Sequence, residues 1–165
     1  TGLTATIVHL FNHGVTKGAI FLLLGGVALV MGGTSLARIQ GLGQRMPLTS
    51  FGIVLCGLSL IGVPGTAGFV SKWYLILAAL EKGQWWLVFL IVGSSLLAAA
   101  YVWRFVEVAY FREPRQDTAG GGALPWSMAW PAGGLVAATV YFGLDTSFTV
   151  GSAAQAAAAL LGGPR

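Results

Sequence analysis

His9, His13 and Lys17 follow one another at intervals of four residues in an otherwise apolar stretch. On an α-helix each such step rotates by only about 40°, so the three side chains form a polar stripe roughly 12 Å long. Imidazole changes charge near neutral pH, and an amine taken out of water holds its proton less tightly than one in water. Together they have the chemistry of a proton relay. An ionisable group at the centre of a bilayer costs about 2.5–3.5 kcal/mol on insertion scales, so it persists where it faces protein or water. Lys17 lies near the midpoint of its apolar stretch, too deep to reach a headgroup easily. The histidines taken singly also fit packed or interfacial positions.

The second candidate is Lys72, in the run Gly68-Phe69-Val70-Ser71-Lys72-Trp73. Just before it, Gly62-Val63-Pro64-Gly65-Thr66-Ala67-Gly68 interrupts the hydrophobic pattern with one proline and three glycines. Pro64 and Gly65, with Gly68 shortly after, predict a helix break there, which would leave backbone groups unpaired in lipid. Such a break faces protein or a water-filled path, and broken helices of this kind build ion sites at mid-depth in transporters. Beside Trp73 and Tyr74, Lys72 equally fits an interfacial anchor, and spacing alone leaves both depths open.

The remaining charges carry less. Arg104 and Glu107, three residues apart, can pair on one helix face near its end. Asp145 closes an apolar segment and reads as a surface residue. Cys56 is the single cysteine, so it builds neither an intrachain disulfide nor a cysteine-based metal site. No phosphate loop, nucleophile with its base or zinc spacing is present, and neither metal nor cofactor is expected. The basic residues are scattered singly, which excludes a nucleic-acid stripe.

The elements that must position these groups are helices in a membrane. The chain has 165 residues, 56% hydrophobic and 8% charged, with a net charge of +4. A soluble domain carries roughly 25% charged residues, and this composition suits a bilayer instead. The fold class expected is all-α and integral to the membrane, with about five membrane segments over 4–30, 47–62, 66–82, 85–111 and 126–145. The 34–46 stretch reads as a surface connection, and Arg112 to Gly122 as a polar, Gly-rich loop. Trp85-Trp86 and Tyr110-Phe111-Arg112 read as interfacial anchors of the fourth segment. An Ala/Gly-rich tail over 148–165 follows the 1–147 membrane domain, with a short terminal helix from Ala153 to Leu161. No signal peptide is visible in Thr1 to Leu10, and the chain is expected to be a fragment of a longer protein. Arginines fall on two connections that five segments would place on opposite sides, so orientation is not decided.

The pattern His9-Leu10-Phe11-Asn12-His13-Gly14-Val15-Thr16-Lys17-Gly18-Ala19-Ile20-Phe21 resembles the HxxxHxxxKxxLF helix of the proton-translocating antiporter-like membrane subunits. That family includes the large membrane subunits of NADH–quinone oxidoreductase and the Mrp-type sodium/proton antiporters. A second run resembles its GL…MP…L(S/A)LxGxPxxxGFxSK signature: Gly41-Leu42-Gly43, Met46-Pro47-Leu48-Thr49, Leu58-Ser59-Leu60-Ile61-Gly62-Val63-Pro64 and Ala67-Gly68-Phe69-Val70-Ser71-Lys72. A softer match, Pro125-Trp126-Ser127-Met128 with Tyr141-Phe142-Gly143-Leu144-Asp145-Thr146, looks like the D-type members among the Mrp antiporter subunits. Gly14 and Ile20 are mild departures from the family's usual alanine and leucine.

The resemblance implies the C-terminal part of a fold of about fourteen helices. It implies that Lys17 lies on a central hydrophilic axis, that Lys72 is the lysine of a second broken helix, and that His9 and His13 flank the axis. The function implied is proton conduction in a monovalent cation/proton antiporter, with proton pumping in a respiratory oxidoreductase or related membrane hydrogenase as the alternative. The chain itself is then a transporter subunit with no chemistry of its own, in a bacterial-type inner membrane. Its partners would be other membrane subunits, the lipid bilayer, protons and, for the antiporter, Na+. A scaffold in which the polar groups only join helices is the competing reading from another class, and it predicts that Lys17→Leu preserves activity.

Overall fold

The computed structural model describes residues 2–114 and 122–162, so most of the loop expected after Arg112 lies outside the described residues. The described residues are helical, with no strand among them. The helices are α1 (Gly2–Met31), the single turn α2 (Leu42–Arg45), α3 (Pro47–Ile61), α4 (Ala67–Glu81), α5 (Trp85–Val106), α6 (Trp126–Leu144) and α7 (Ser147–Leu160). A π-helical turn, Glu107–Phe111, extends α5. Two helices are long and apolar enough to cross a membrane, Gly2–Met31 and Trp85–Phe111. At a rise of about 1.5 Å per residue, α3 and α4 are each about 22 Å long, short of the roughly 30 Å of a hydrocarbon core.

α1 is the central element, packed against α3, α4, α6 and α7. Lipid is as apolar as leucine, so helices there are held by close packing and hydrogen bonds more than by hydrophobic expulsion. The interfaces show this. Gly57 of α3 receives Val102 of α5, and Gly143 of α6 lies so close to the 65–66 backbone that a Cβ there would overlap it. At the other end a cluster of Leu23, Val27, Met31, Ile39, Leu42, Met46, Val108 and Ala109 ties α1 to the connection and the π turn.

That connection is more structured than a surface linker. It contains α2 and buries Ile39, Leu42 and Met46. Gly41 takes a left-handed conformation, φ +68°, a region that costs glycine little. Its amide donates to Val108 O at 3.2 Å, a carbonyl of the π turn. The π turn therefore anchors the connection under the end of α5.

The break between α3 and α4 is shorter than the sequence suggests. α3 ends at Ile61 with Gly62 at φ +94°, a left-handed cap, and Gly65 lies at φ +88°. Gly68 is already inside α4. The C-terminal helix also begins earlier than expected, at Ser147 rather than Ala153, and it packs on α1 instead of trailing as a tail. Asp145 explains the early start. Its Oδ1 accepts from Ser147 N at 2.9 Å and Ser147 Oγ at 2.6 Å, which satisfies a donor of the first turn.

Candidate functional site

The site is built where α1 meets the α3–α4 break. A helix ends with unsatisfied carbonyls and a partial negative charge, and begins with unsatisfied amides and a partial positive one. The two halves of the break answer each other's needs. Lys72 Nζ, from α4, donates to Leu60 O at 2.7 Å and Ile61 O at 3.2 Å, the last carbonyls of α3. In return Ser59 Oγ, from α3, accepts from Gly68 N at 3.0 Å in the first turn of α4. Thr66 precedes α4 but turns its hydroxyl to Val63 O at 2.7 Å, so Ser59 supplies the cap from the neighbouring helix.

Lys72 makes a third contact, donating to Ser95 Oγ of α5 at 2.6 Å. Ser95 Oγ donates onward to Ile91 O at 3.2 Å. The ammonium is thus held by three oxygens, with no carboxylate beside it among the described residues. The broken helix determines its environment: without free carbonyls at the end of α3, the Ser95 hydroxyl alone would remain to hold this charge.

α1 supplies the rest. His9 Nδ1 lies 3.0 Å from Ser71 Oγ. The Ser71 hydroxyl also lies 3.1 Å from Gly68 O, so it links the His9 ring to the first turn of α4. His13 stacks on His9, ring centroids 5.3 Å apart. Both histidines are half-buried and Lys17 is exposed. The drift of about 40° per four-residue step accounts for this, because over two steps Lys17 turns about 80° away from His9.

His9, His13, Lys17 and Lys72 share one cleft of about 260 Å³, walled by Leu60 of α3, Leu75 of α4 and Ile91, Ser94 and Ala98 of α5. A water occupies about 30 Å³ in the liquid, so the cleft has room for several. A narrow recess of about 10 Å³ continues inward between Thr16, Ser59, Ser71 and Lys72. The arrangement brings titratable nitrogens from α1 and α4 into one cleft between helices. Pro64 is exposed and Gly65 stands away from the cleft in the break, so these two shape the chain without lining the site.

Asn12, Thr16, Ser59, Ser71 and Ser95 escape a search for ionisable residues. Asn12 is fully buried and donates from Nδ2 to Ala67 O at 2.9 Å. Thr16 Oγ1 donates to Asn12 O at 2.9 Å and sits 3.2 Å from Ser59 Oγ. Uncharged polar residues in an apolar helix were the available signal, since each needs a partner when buried. The Arg104–Glu107 pair forms at 2.7 Å and Arg112 joins it at 2.9 Å, outside the cleft. Among the described residues no three or more His, Cys, Asp or Glu side chains gather as a metal would require.

Residues 1–98 match the family described as NADH:quinone oxidoreductase/Mrp antiporter, TM. The chain is 42% identical over 110 residues to the N subunit of NADH-quinone oxidoreductase of Desulforudis audaxviator, covering 67% of this chain and 22% of that protein. It is 28% identical over 159 residues to the D subunit of the Na(+)/H(+) antiporter of Bacillus subtilis, covering 96% of this chain and 32% of that one. The chain thus spans a fifth to a third of the length of these curated relatives. Among solved structures it superposes on a chain of the Mrp complex from Dietzia sp. DQ12-45-1b with a TM-score of 0.86 and 25% identity, over 94% of this chain and 37% of that chain. It also superposes on a chain of the membrane-bound sulfane sulfur reductase, an archaeal respiratory membrane complex, with a TM-score of 0.80 and 30% identity, over 94% of this chain and 31% of that chain. The matched stretch contains the whole Lys/His cleft and the break that shapes it, and the chain belongs to the NADH:quinone oxidoreductase/Mrp antiporter family of membrane subunits.

Proposed function

We propose that this chain conducts protons through Lys17, His13, His9 and Lys72 as part of a membrane subunit of a monovalent cation/proton antiporter. One observation carries the reading: the Lys72 ammonium is held by two helix-end carbonyls and a hydroxyl, with no carboxylate partner among the described residues, in a cleft it shares with two histidines and a second lysine. A charge held by neutral dipoles can give up its proton without leaving a bare counter-charge behind, whereas an ion pair resists. The exposed Lys17 at the cleft mouth and the half-buried histidines make a graded series from open to enclosed positions.

In this reading α1, α3, α4, α5 and α6 form about five membrane segments, with α3 and α4 the two short ones flanking the break. They are the later part of a larger antiporter-like fold of about fourteen helices. The working protein is a multi-pass subunit in a bacterial-type inner membrane, assembled with other membrane subunits, and it moves protons against Na+. Replacing Lys72 by Ala in the full-length protein abolishes proton-coupled Na+ transport in vesicles. Transport at the wild-type rate would overturn the assignment.

A second reading is a proton-pumping subunit of a respiratory oxidoreductase. The 42% identity to an oxidoreductase protein of N type favours it, and both an oxidoreductase protein of N type and an antiporter protein of D type match over nearly the whole chain. Purification of the full-length protein from its native membrane separates the two: iron–sulfur and flavin proteins accompany the respiratory subunit, and small membrane subunits accompany the antiporter.

A further inference from the structure

The Ala67–Gly68 peptide, in the first turn of α4, is held at both ends by other helices. Its carbonyl accepts from Asn12 Nδ2 of α1 at 2.9 Å, and its amide donates to Ser59 Oγ of α3 at 3.0 Å. Thr16 Oγ1, one turn along α1 from Asn12, lies 3.2 Å from the same Ser59 hydroxyl. A single peptide unit of α4 is therefore gripped in a closed ring with side chains of α1 and α3. There is no slack on the third side either, because a Cβ at Gly68 would overlap the Ser59 carbonyl.

Asn12 is an expensive residue in this position. It is fully buried, and its Oδ1 has no hydrogen-bond partner. A leucine would fill the same space with no polar atom to leave unsatisfied, so packing alone does not account for an asparagine. Its orientation is also not free. The partner is a carbonyl oxygen, which accepts and cannot donate, so the amide must present its NH2 to Ala67.

Resting on the proton-path reading above, we propose that Asn12, with Thr16 and Ser59, positions Lys72. The ring fixes the first turn of α4 against the last turn of α3, and Lys72 lies just over one turn further along α4. That register is what carries its ammonium to Leu60 O and Ile61 O. Neither Asn12 nor Thr16 is among the hydrogen-bond partners of the ammonium; they act through the backbone of the break.

The test uses the full-length protein in its membrane complex and reads Lys72 directly. Acetic anhydride is applied in pulses, and acetylation of Lys72 is quantified by mass spectrometry beside proton transport in vesicles. Thr16→Val keeps the shape and loses the hydroxyl, Thr16→Ser keeps the hydroxyl, and Asn12→Leu keeps the volume and loses the donor. Lys72 labelling rises about fivefold or more in Asn12→Leu and Thr16→Val, with transport falling by a similar factor, and both return to within about twofold of wild type in Thr16→Ser. Ser50→Ala removes another buried hydroxyl of α3, one without a partner and away from the break, and changes neither readout. Should Asn12→Leu fail to assemble, Ser59→Ala tests the other end of the same peptide and shows the same rise. Equal Lys72 labelling in wild type, Thr16→Val and Ser59→Ala overturns the positioning role. If labelling responds as stated but Lys72→Ala still transports protons, the ring stands and the proton-path reading fails.

Discussion

At Gly68 the constraint is steric. A Cβ would run into the Ser59 carbonyl, which is helix backbone and cannot swing aside. Inserting a methyl into a packed interface of this kind costs about 1–3 kcal/mol. Gly68→Ala therefore lowers the thermal stability of the full-length protein in detergent and disturbs Lys72, whose carbonyl contacts depend on the spacing of α3 and α4. Gly14, on α1, is the opposite case, with nothing within 4 Å of where its Cβ would stand. Alanine is favoured over glycine in a helix interior by about 0.8–1.0 kcal/mol. Gly14→Ala accordingly leaves transport unchanged and holds or raises the melting temperature. A melting curve for each variant checks both. Two glycines in similar apolar sequence are thus separated by their neighbours alone.

Among the elements, α7 shows how one side chain begins a helix. Asp145 accepts from the backbone and hydroxyl of Ser147, and Tyr141 Oη donates to its other oxygen at 3.3 Å. These hydrogen bonds, the Ser147 hydroxyl foremost, hold the Asp145 carboxyl below its usual value. A carboxylate depressed in the folded state contributes its stabilisation above its unfolded pKa, about 3.9, and loses it as pH falls through the lower folded value. The protection factor of the first-turn amides of α7, the intrinsic exchange rate at each pH divided by the observed one, is therefore constant from neutral pH down to about pH 4 and falls below that. Asp145→Ala shows the lower protection throughout the range above about pH 4. Exchange that stayed slow in the variant would show that packing on α1, not the cap, starts the helix.

For the molecule as a whole, the decisive feature is how little of α5 is covered. None of its residues is buried, and Phe89, Leu96 and Trp103 stand 74%, 69% and 64% exposed. An apolar face of this length belongs against lipid or another apolar helix. An arginine at the centre of a membrane helix costs about 2.5–3.5 kcal/mol on insertion scales. Leu96→Arg thus lowers the ratio of inserted to translocated α5 in a translocation assay by roughly the hundredfold that such a cost implies. Ser94, on the cleft side and already polar, tolerates replacement by Asn in the same assay.

The all-helical character, the polar stripe on α1, the break near Pro64 and the family itself are legible in the residues. Each depends on composition, on spacing along one helix, or on a run of consecutive side chains. The edges of the break are less legible: Gly68 reads as part of it, yet lies inside α4, because Ser59 caps that turn from another helix. Nor does the sequence tell inside from outside here. When a helix is apolar all round, hydropathy carries no facing, and the exposure of Lys17 against the burial of Asn12 comes from the packing of α3, α4 and α6 on α1. The partners of Lys72 are likewise a tertiary fact. Leu60, Ile61 and Ser95 contribute backbone carbonyls and a hydroxyl, groups that mark no site by themselves, and they acquire a charge to hold only where a helix end, a second helix and a third meet within about 3 Å of one nitrogen.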